Sequence, residues 1–222
     1  MRPERGIPCP QSLRLRLDQP AELVDRRPEV LRPRGLDNQR LARERVESAG
    51  LSGLVEVRVQ DYREAGGLYD AIVSVEMIEA VGEAYWPAYF AALDRLLAPG
   101  GRAAIQAITM DHQRFLATRR SFSWIQKYIF PGGIIPSLQA VDDTLAAHTT
   151  LRVTRQRELR PHYARTLRLW RERFRDQWPR IHAQGFDETF RRMWEFYLAY
   201  SEAGFRSGYL GVSQLQMTRA PA

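Results

Sequence analysis

Two glutamates three residues apart, Glu76 and Glu79, directly follow an apolar run and are the first residues with the means for acid–base chemistry. Spacing of three puts them on one face if the segment is helical. A glutamate buried there holds its proton to higher pH than a free one and could act as acid or base. The plainer reading is a pair of solvated loop carboxylates. Asp61 follows an alternating stretch and could accept hydrogen bonds from an adenine or ribose. Spacing alone favours a turn carboxylate capping the next segment. Tyr163, after Pro161 and His162, could donate into a site or pack as an ordinary core tyrosine. The four histidines, at 112, 148, 162 and 182, lack metal-ligand spacing, and Cys9 is the single cysteine. A metal centre and a disulfide framework are therefore not expected. There is no nucleophile elbow, P-loop or CxxC motif.

Elements must hold these residues together. Val55 to Val59 alternates strictly and predicts a strand. Tyr69 to Val75 is nearly continuous in apolar character, as in a strand covered on both faces. Arg102 to Thr109 is a third strand. Helices are predicted from a cap at Asp37 to Ala49, from Glu83 to Leu97 with a stop at Pro99-Gly100-Gly101, and over about 164–178 and 187–203. Leu151 to Thr154 restarts the sheet and Tyr209 to Met217 is the last strand. Strand–helix–strand with short connections predicts an α/β fold with a parallel sheet. Ligands of such sheets bind beyond the carboxyl ends of the strands. That rule selects Gln60-Asp61-Tyr62, then Glu76 to Glu79, then Gln106 to Thr109. Residues 111–150 break the rhythm and read as an insertion covering that edge.

The chain has 222 residues and a net charge of +7, which suggests a polyanion partner. All the basic residues except Lys127 are arginine, however, and acidic residues are interspersed among them. Such a skew is expected from GC-rich coding rather than phosphate binding, and no basic stripe with interleaved aromatics is present. Nucleic acid is not an expected partner. Trp124, Lys127 and Tyr128, with Arg119 and Arg120, form a basic aromatic segment that suits either a lipid interface or a core-facing helix. Residues 1–40 hold six of the 13 prolines and no aromatic residue. They cannot build much core, so 1–36 is predicted to be irregular and the folded domain to begin near residue 37.

The stretches VQDYRE (59–64), YDAIVSVEMIEAVG (69–82), YWPAYFAALDRLLAPGGR (85–102), IQAIT (105–109), WIQKYIFPGGIIPS (124–137) and PHYARTLRLWRERF (161–174) occur in a recognisable order. With the region 190–216, they resemble the cyclopropane-fatty-acyl-phospholipid synthase and mycolic acid cyclopropane synthase family. These are S-adenosylmethionine-dependent methyltransferases. The resemblance spans about residues 37–217. It implies a Rossmann-like class I methyltransferase sheet with 111–150 as a helical, acyl-site insertion. It implies a methyl group passing from S-adenosylmethionine to the double bond of an unsaturated phospholipid acyl chain, then closing to a cyclopropane. Methylene or methyl branching, or a non-catalytic lipid-binding remnant, are the alternatives. Glu79 and Tyr163 match positions that hold a bicarbonate ion as base. Gln106 stands where a catalytic histidine is frequent. Gln39 matches a ribose contact, and Asp61 and Tyr62 lie where the adenine binds. The resemblance also implies a phospholipid membrane surface as partner, cytoplasmic location with peripheral attachment to the inner membrane face, and a homodimer.

Two substitutions depart from the pattern: Ala80 and Gln106 stand where histidines are frequent. Loss of a histidine that orients the anion is expected to favour a methylene product. The family's first strand, its Gly-rich cofactor loop and its bicarbonate-contacting cysteine have no match here. Gly35 is the only glycine between Gly6 and Gly50, and Cys9 sits in a different context. The expectation is a truncated or frameshifted copy, inactive as this chain alone.

Overall fold

A computed structural model describes residues 14–16 and 34–219. Cys9 and most of the segment predicted to be irregular lie outside the described residues. The described chain falls into two compact units, divided after Ala65.

The first unit holds β1 (Arg14–Arg16), α1 (Arg34–Ser48) and β2 (Glu56–Arg58). β1 pairs parallel with β2, so three residues ahead of position 37 do form a strand. Helix α1 starts three residues before the predicted cap at Asp37. It ends as predicted, at Gly50, whose φ of 68° only glycine adopts cheaply. The Arg43 guanidinium donates to the Val57 carbonyl and ties α1 to β2. After β2, Asp61 caps a single 3-10 turn, Tyr62–Glu64.

The second unit runs β3 (Tyr69–Val75), α2 (Ile78–Val81), α3 (Trp86–Leu96), β4 (Leu97–Met110), α4 (His112–Thr118), α5 (Trp124–Tyr128), α6 (Leu138–His148), β5 (Leu151–Glu158), α7 (Arg160–Asp176), α8 (Trp178–His182), α9 (Glu188–Arg206) and β6 (Leu210–Arg219). The helix starts follow local chemistry. Proline occupies the first turn of α3 and α7, where no amide hydrogen is needed. Ser123 and Gln126 form a reciprocal capping box on α5, and Asp187 caps α9.

The four strands lie in the order β3-β4-β6-β5, with β3 and β4 parallel. β6 runs antiparallel to both of its neighbours, which corrects the expectation of an all-parallel sheet. A turn of three residues after α9 feeds the chain directly into β6, so the strand enters from the end at which α9 stops. Pro99-Gly100-Gly101 does not end a helix here but lies inside β4. A Cβ at Gly101 would sit 2.9 Å from the Ala98 carbonyl oxygen and 3.0 Å from that of Asp70, so the close approach of β3 and β4 requires glycine. One face of the sheet buries Ala103, Ile105, Ala107, Leu215 and Met217. On the other face, Val212 joins Leu167, Phe174, Trp178, Leu198 and Phe205 of α7, α8 and α9 in a second core. Each fully buried large side chain contributes roughly 2–3 kcal/mol to that packing.

Candidate active site

At the carboxyl end of β3 the backbone takes a left-handed turn. Glu76 has φ of 51°, the only positive φ on a non-glycine residue among those described. That conformation costs about 1–3 kcal/mol and persists where neighbours enforce it. Here the Glu76 amide donates to the Gln106 carbonyl at 2.7 Å, locking the turn to β4. The turn brings the carboxylate into a side-chain cluster drawn from three other elements. Oε1 of Glu76 accepts from the Gln106 amide nitrogen at 3.1 Å and from the Tyr163 hydroxyl. The same Gln106 nitrogen donates to the Tyr163 oxygen at 2.7 Å. The Gln214 amide donates to the Gln106 carbonyl oxygen at 2.9 Å. Glu76 keeps contact with solvent, yet enough protein surrounds its carboxyl to push its pKa up by loss of water. The Gln106 hydrogen bond opposes that rise.

Glu79 sits in α2, one turn on. Its Oε1 accepts from the Ile108 amide at 2.5 Å, and its buried Oε2 has no hydrogen-bond partner. Burial pushes its pKa up to about 7, against the Ile108 and own-backbone hydrogen bonds, and the Glu76 charge adds to the rise. Near neutral pH this carboxyl therefore takes or gives a proton readily, as a general acid or base requires. The Glu79 carbonyl accepts from the Ile134 amide at 2.9 Å, which anchors the Pro131-Gly132-Gly133 segment beside the site. Phe130 of that segment meets Tyr197 edge to face at 5.9 Å. Tyr197 is raised in pKa by burial and then by the charge of Glu76, which marks it as a neighbour of the cluster.

The structure thus joins Gln106 and Tyr163 around Glu76, with Glu79 alongside through Ile108. Reading the sequence picked out Glu79, Gln106 and Tyr163 but missed Gln214 and Tyr197, and left Glu76 open between chemistry and a solvated loop. A weak signal for Gln214 existed. It lies in the alternating stretch that became β6, but only the register sets it opposite Gln106.

Gln39, Asp61 and Tyr62 belong to the first unit, and the structure describes them there. Gln39 is half-buried and lines an open groove of about 740 Å³ with Arg43, Glu47, Val57, Val59 and Gln60. Valines and polar side chains share its lining, and that volume admits a nucleoside-sized ligand. Gln39 and its polar neighbours are the residues that would hold the adenosine end of S-adenosylmethionine. Asp61 accepts from the Arg63 backbone amide at 2.9 Å and from its guanidinium at 3.0, 3.1 and 2.5 Å. The hydrogen bonds from Arg63 hold its carboxyl below the usual range. That is the turn-capping role. Tyr62 is half-buried in the turn that Asp61 caps.

Bicarbonate fits less well. The Tyr163 hydroxyl, which the resemblance assigns to that ion, is given to Glu76. Two carboxylates already share the site, and a third negative charge beside them would be repelled. Among the described residues no cluster of histidine, cysteine and carboxylate groups suits a metal ion.

A family model described as mycolic acid cyclopropane synthetase matches residues 35–215. Over 184 residues the chain is 60% identical to a tuberculostearic acid methyltransferase of Mycobacterium tuberculosis, covering 83% of this chain and 43% of that protein. Over 183 residues it is 34% identical to the cyclopropane-fatty-acyl-phospholipid synthase of Escherichia coli, covering 82% and 45%. A solved mycolic acid cyclopropane synthase, complexed with SAH and CTAB, superposes with a TM-score of 0.69 at 28% identity, covering 82% of this chain and 66% of that one. The cyclopropane synthase MmaA2 from Mycobacterium tuberculosis gives 0.67 at 27% identity, covering 79% and 65%. The chain spans less than half the length of these two curated relatives. Its fold is that of the class I methyltransferases of the cyclopropane synthase type.

Proposed function

The chain belongs to the mycolic acid cyclopropane synthetase family, and on that footing we propose that it carries the catalytic cluster of an enzyme that methylates the double bond of unsaturated acyl chains, with Glu76 as proton acceptor. The observation that carries this reading is the hydrogen bonding of Glu76 to Tyr163 and Gln106, residues matched to the family's anion site. A built-in carboxylate takes the hydrogen bond that a bicarbonate would otherwise receive.

When bound, S-adenosylmethionine supplies an electrophilic methyl carbon. The alkene π electrons would form the new carbon–carbon bond to that methyl group, the cofactor keeping the electron pair of the bond given up, and the neighbouring acyl carbon would become cationic. A hydride shift from the methylated carbon moves the cation there. Glu76 then removes a proton from the added methyl group, and the freed C–H electron pair becomes the double bond of a methylene branch. Glu76 later passes the proton to water, with which it keeps contact. The negative charges of Glu76 and of ionised Glu79 favour the cation.

The methylene product is favoured by the 60% identity to a protein named for tuberculostearic acid rather than for a cyclopropane. Ring closure without the hydride shift is the second reading, favoured by the description of the family and by the Escherichia coli relative. Support for contact with lipid comes from exposed aromatic residues on α5 and α9. Trp124 meets Phe196 edge to face at 4.7 Å, Tyr128 and Tyr200 extend the cluster, and Lys127 lies over the Tyr128 ring. No helix among the described residues is long and apolar enough to cross a membrane.

The test is product analysis with S-adenosylmethionine carrying a labelled methyl group and monounsaturated phospholipid vesicles. It uses the 222-residue chain, and the same chain extended by the part of the 60%-identical relative that it does not cover. Label in a methylene-branched acyl chain made by the extended form is the expected result. Label in a cyclopropane would establish the second reading. No labelled lipid from the extended form would overturn both.

A further inference from the structure

The cluster around Glu76 has one member that touches neither carboxylate. Gln214 stands directly opposite Gln106 in the antiparallel pair of β4 and β6, so the two side chains share a face. Gln214 is exposed, and its amide nitrogen donates to the side-chain carbonyl oxygen of Gln106. Burial in the core does not explain it.

Resting on the reading of Glu76 given above, we propose that Gln214 is a positioning residue. It sets the direction of a hydrogen-bond relay that runs from β6 through Gln106 to Tyr163 and Glu76, leaving Oε2 of Glu76 to take the substrate proton.

An amide has a donor end and an acceptor end, so a chain of amides has a direction. In the observed direction Gln214 donates to Gln106, Gln106 donates to both Tyr163 and Glu76, and Tyr163 gives its own proton to Glu76. Both donors converge on Oε1, and Oε2 accepts no hydrogen bond among the described residues. Turn the Gln106 amide over and its carbonyl oxygen faces the carboxylate. Tyr163 would then give its proton to Gln106, and Oε1 would lose both donors. An ionised carboxylate accepts only, so it favours the observed direction from one end. Gln214 satisfies the carbonyl at the other end and so favours the same direction. Hydrogen bonds to the charged form lower a carboxyl pKa, so the relay opposes the rise that burial imposes on Glu76. The other ionisable groups that bear on Glu76 are Glu79 from α2, Tyr163 from α7 and Tyr197 from α9. Arg157 of β5 is the register partner of Gln214 on its far side.

The experiment follows the carboxyl carbon-13 resonance of Glu76 against pH in the 222-residue chain, assigned by its absence in the Glu76→Gln variant. Gln214→Met keeps the side-chain length and removes the donor. It should raise the Glu76 midpoint by about half a pH unit. Gln106→Met should raise it further, and the double variant should match Gln106→Met alone, because Gln214 acts only through Gln106. An unmoved midpoint in Gln214→Met, or a shift that adds to that of Gln106→Met, would overturn the proposal. A purely structural role would lower the unfolding temperature and leave the midpoint where it is. If Gln214→Met fails to fold, Gln214→Ser, too short to reach Gln106, is read in the same way. The titration involves no methyl transfer, so it stands or falls separately from the product analysis.

Discussion

Two glutamates on helices of the second unit are largely withdrawn from water, and their company differs. Glu202 on α9 is 4% exposed and pairs with Arg171 at 2.9 Å and Arg206 at 3.2 Å. Glu79 on α2 forms no ion pair among the described residues. Its partners are a backbone amide and another carboxylate. Each glutamate has one buried oxygen without a hydrogen bond, but that of Glu202 lies against the Arg171 guanidinium. Both are largely buried, so burial does not separate them. The difference is whether burial is compensated. A compensated charge serves the fold, whereas an uncompensated one keeps its proton up to near neutral pH, can exchange it there and is available for chemistry.

The largest effect is expected at Glu76, the carboxylate whose charge adds to the raised pKa of Glu79. In the extended form of the chain, Glu76→Gln should cut labelled acyl product by about 10²–10⁴-fold, the range typical of a lost general base. Product within threefold of the parent would remove Glu76 from the chemistry and dissolve the contrast.

Glu79 comes next, through pH. Its folded pKa of about 7 lies above the ordinary value of 4.5, so the folded chain holds this proton more tightly than the unfolded one. The stability it contributes is complete below about pH 4.5 and is lost as pH rises through about 7. The whole loss is roughly 3 kcal/mol at most. Glu79→Gln should flatten that part of the stability curve, measured by urea unfolding at pH 5 and pH 8. An equally steep fall in the variant would show that Glu79 is not the group responsible.

Glu202→Gln should instead destabilise the chain at every pH in that range, by about 2 kcal/mol, because two arginines lose their partner. The figure is modest for a buried pair because the Arg206 side chain is 70% exposed and regains water. A variant as stable as the parent would mean that the pair is not what compensates burial. The smallest effect belongs to Arg168, on the same helix as Arg171. It meets Glu172 at 3.9 Å with both side chains more than half exposed. Arg168→Ala should change stability by less than about 0.5 kcal/mol. A larger loss would show that exposed pairs on α7 also carry the fold.

Much of this was legible from residue types and spacing. Tyr69 to Val75 reads as a strand from its apolar, β-branched run, and it is β3. The expectation that both its faces are covered is corrected: β3 is an edge strand of its sheet, with Val73 and Val75 exposed. The aromatic repeat of 187–203 reads as a helix because its apolar positions recur every three to four residues, and it is α9. Glu79, Gln106 and Tyr163 stood out at strand ends and motif matches. The direction of the last strand was not legible, because period-two alternation is the same for either direction. The role of Glu76 was open for a related reason. Its contacts lie 30 and 87 residues away in the chain, and a local pattern holds no information about them.

By itself the sequence determined the elements, the family and the residues able to move a proton, since these follow from side-chain chemistry and short-range periodicity. Only the tertiary structure decided which of them meet. The left-handed turn at Glu76, the parallel pairing of β3 with β4 and the antiparallel register of β6 bring Glu76, Gln106, Gln214 and Tyr163 together. Hydrogen bonding acts over about 3 Å, and only the closed sheet and the helix packed on it bring residues so distant in the chain within that reach.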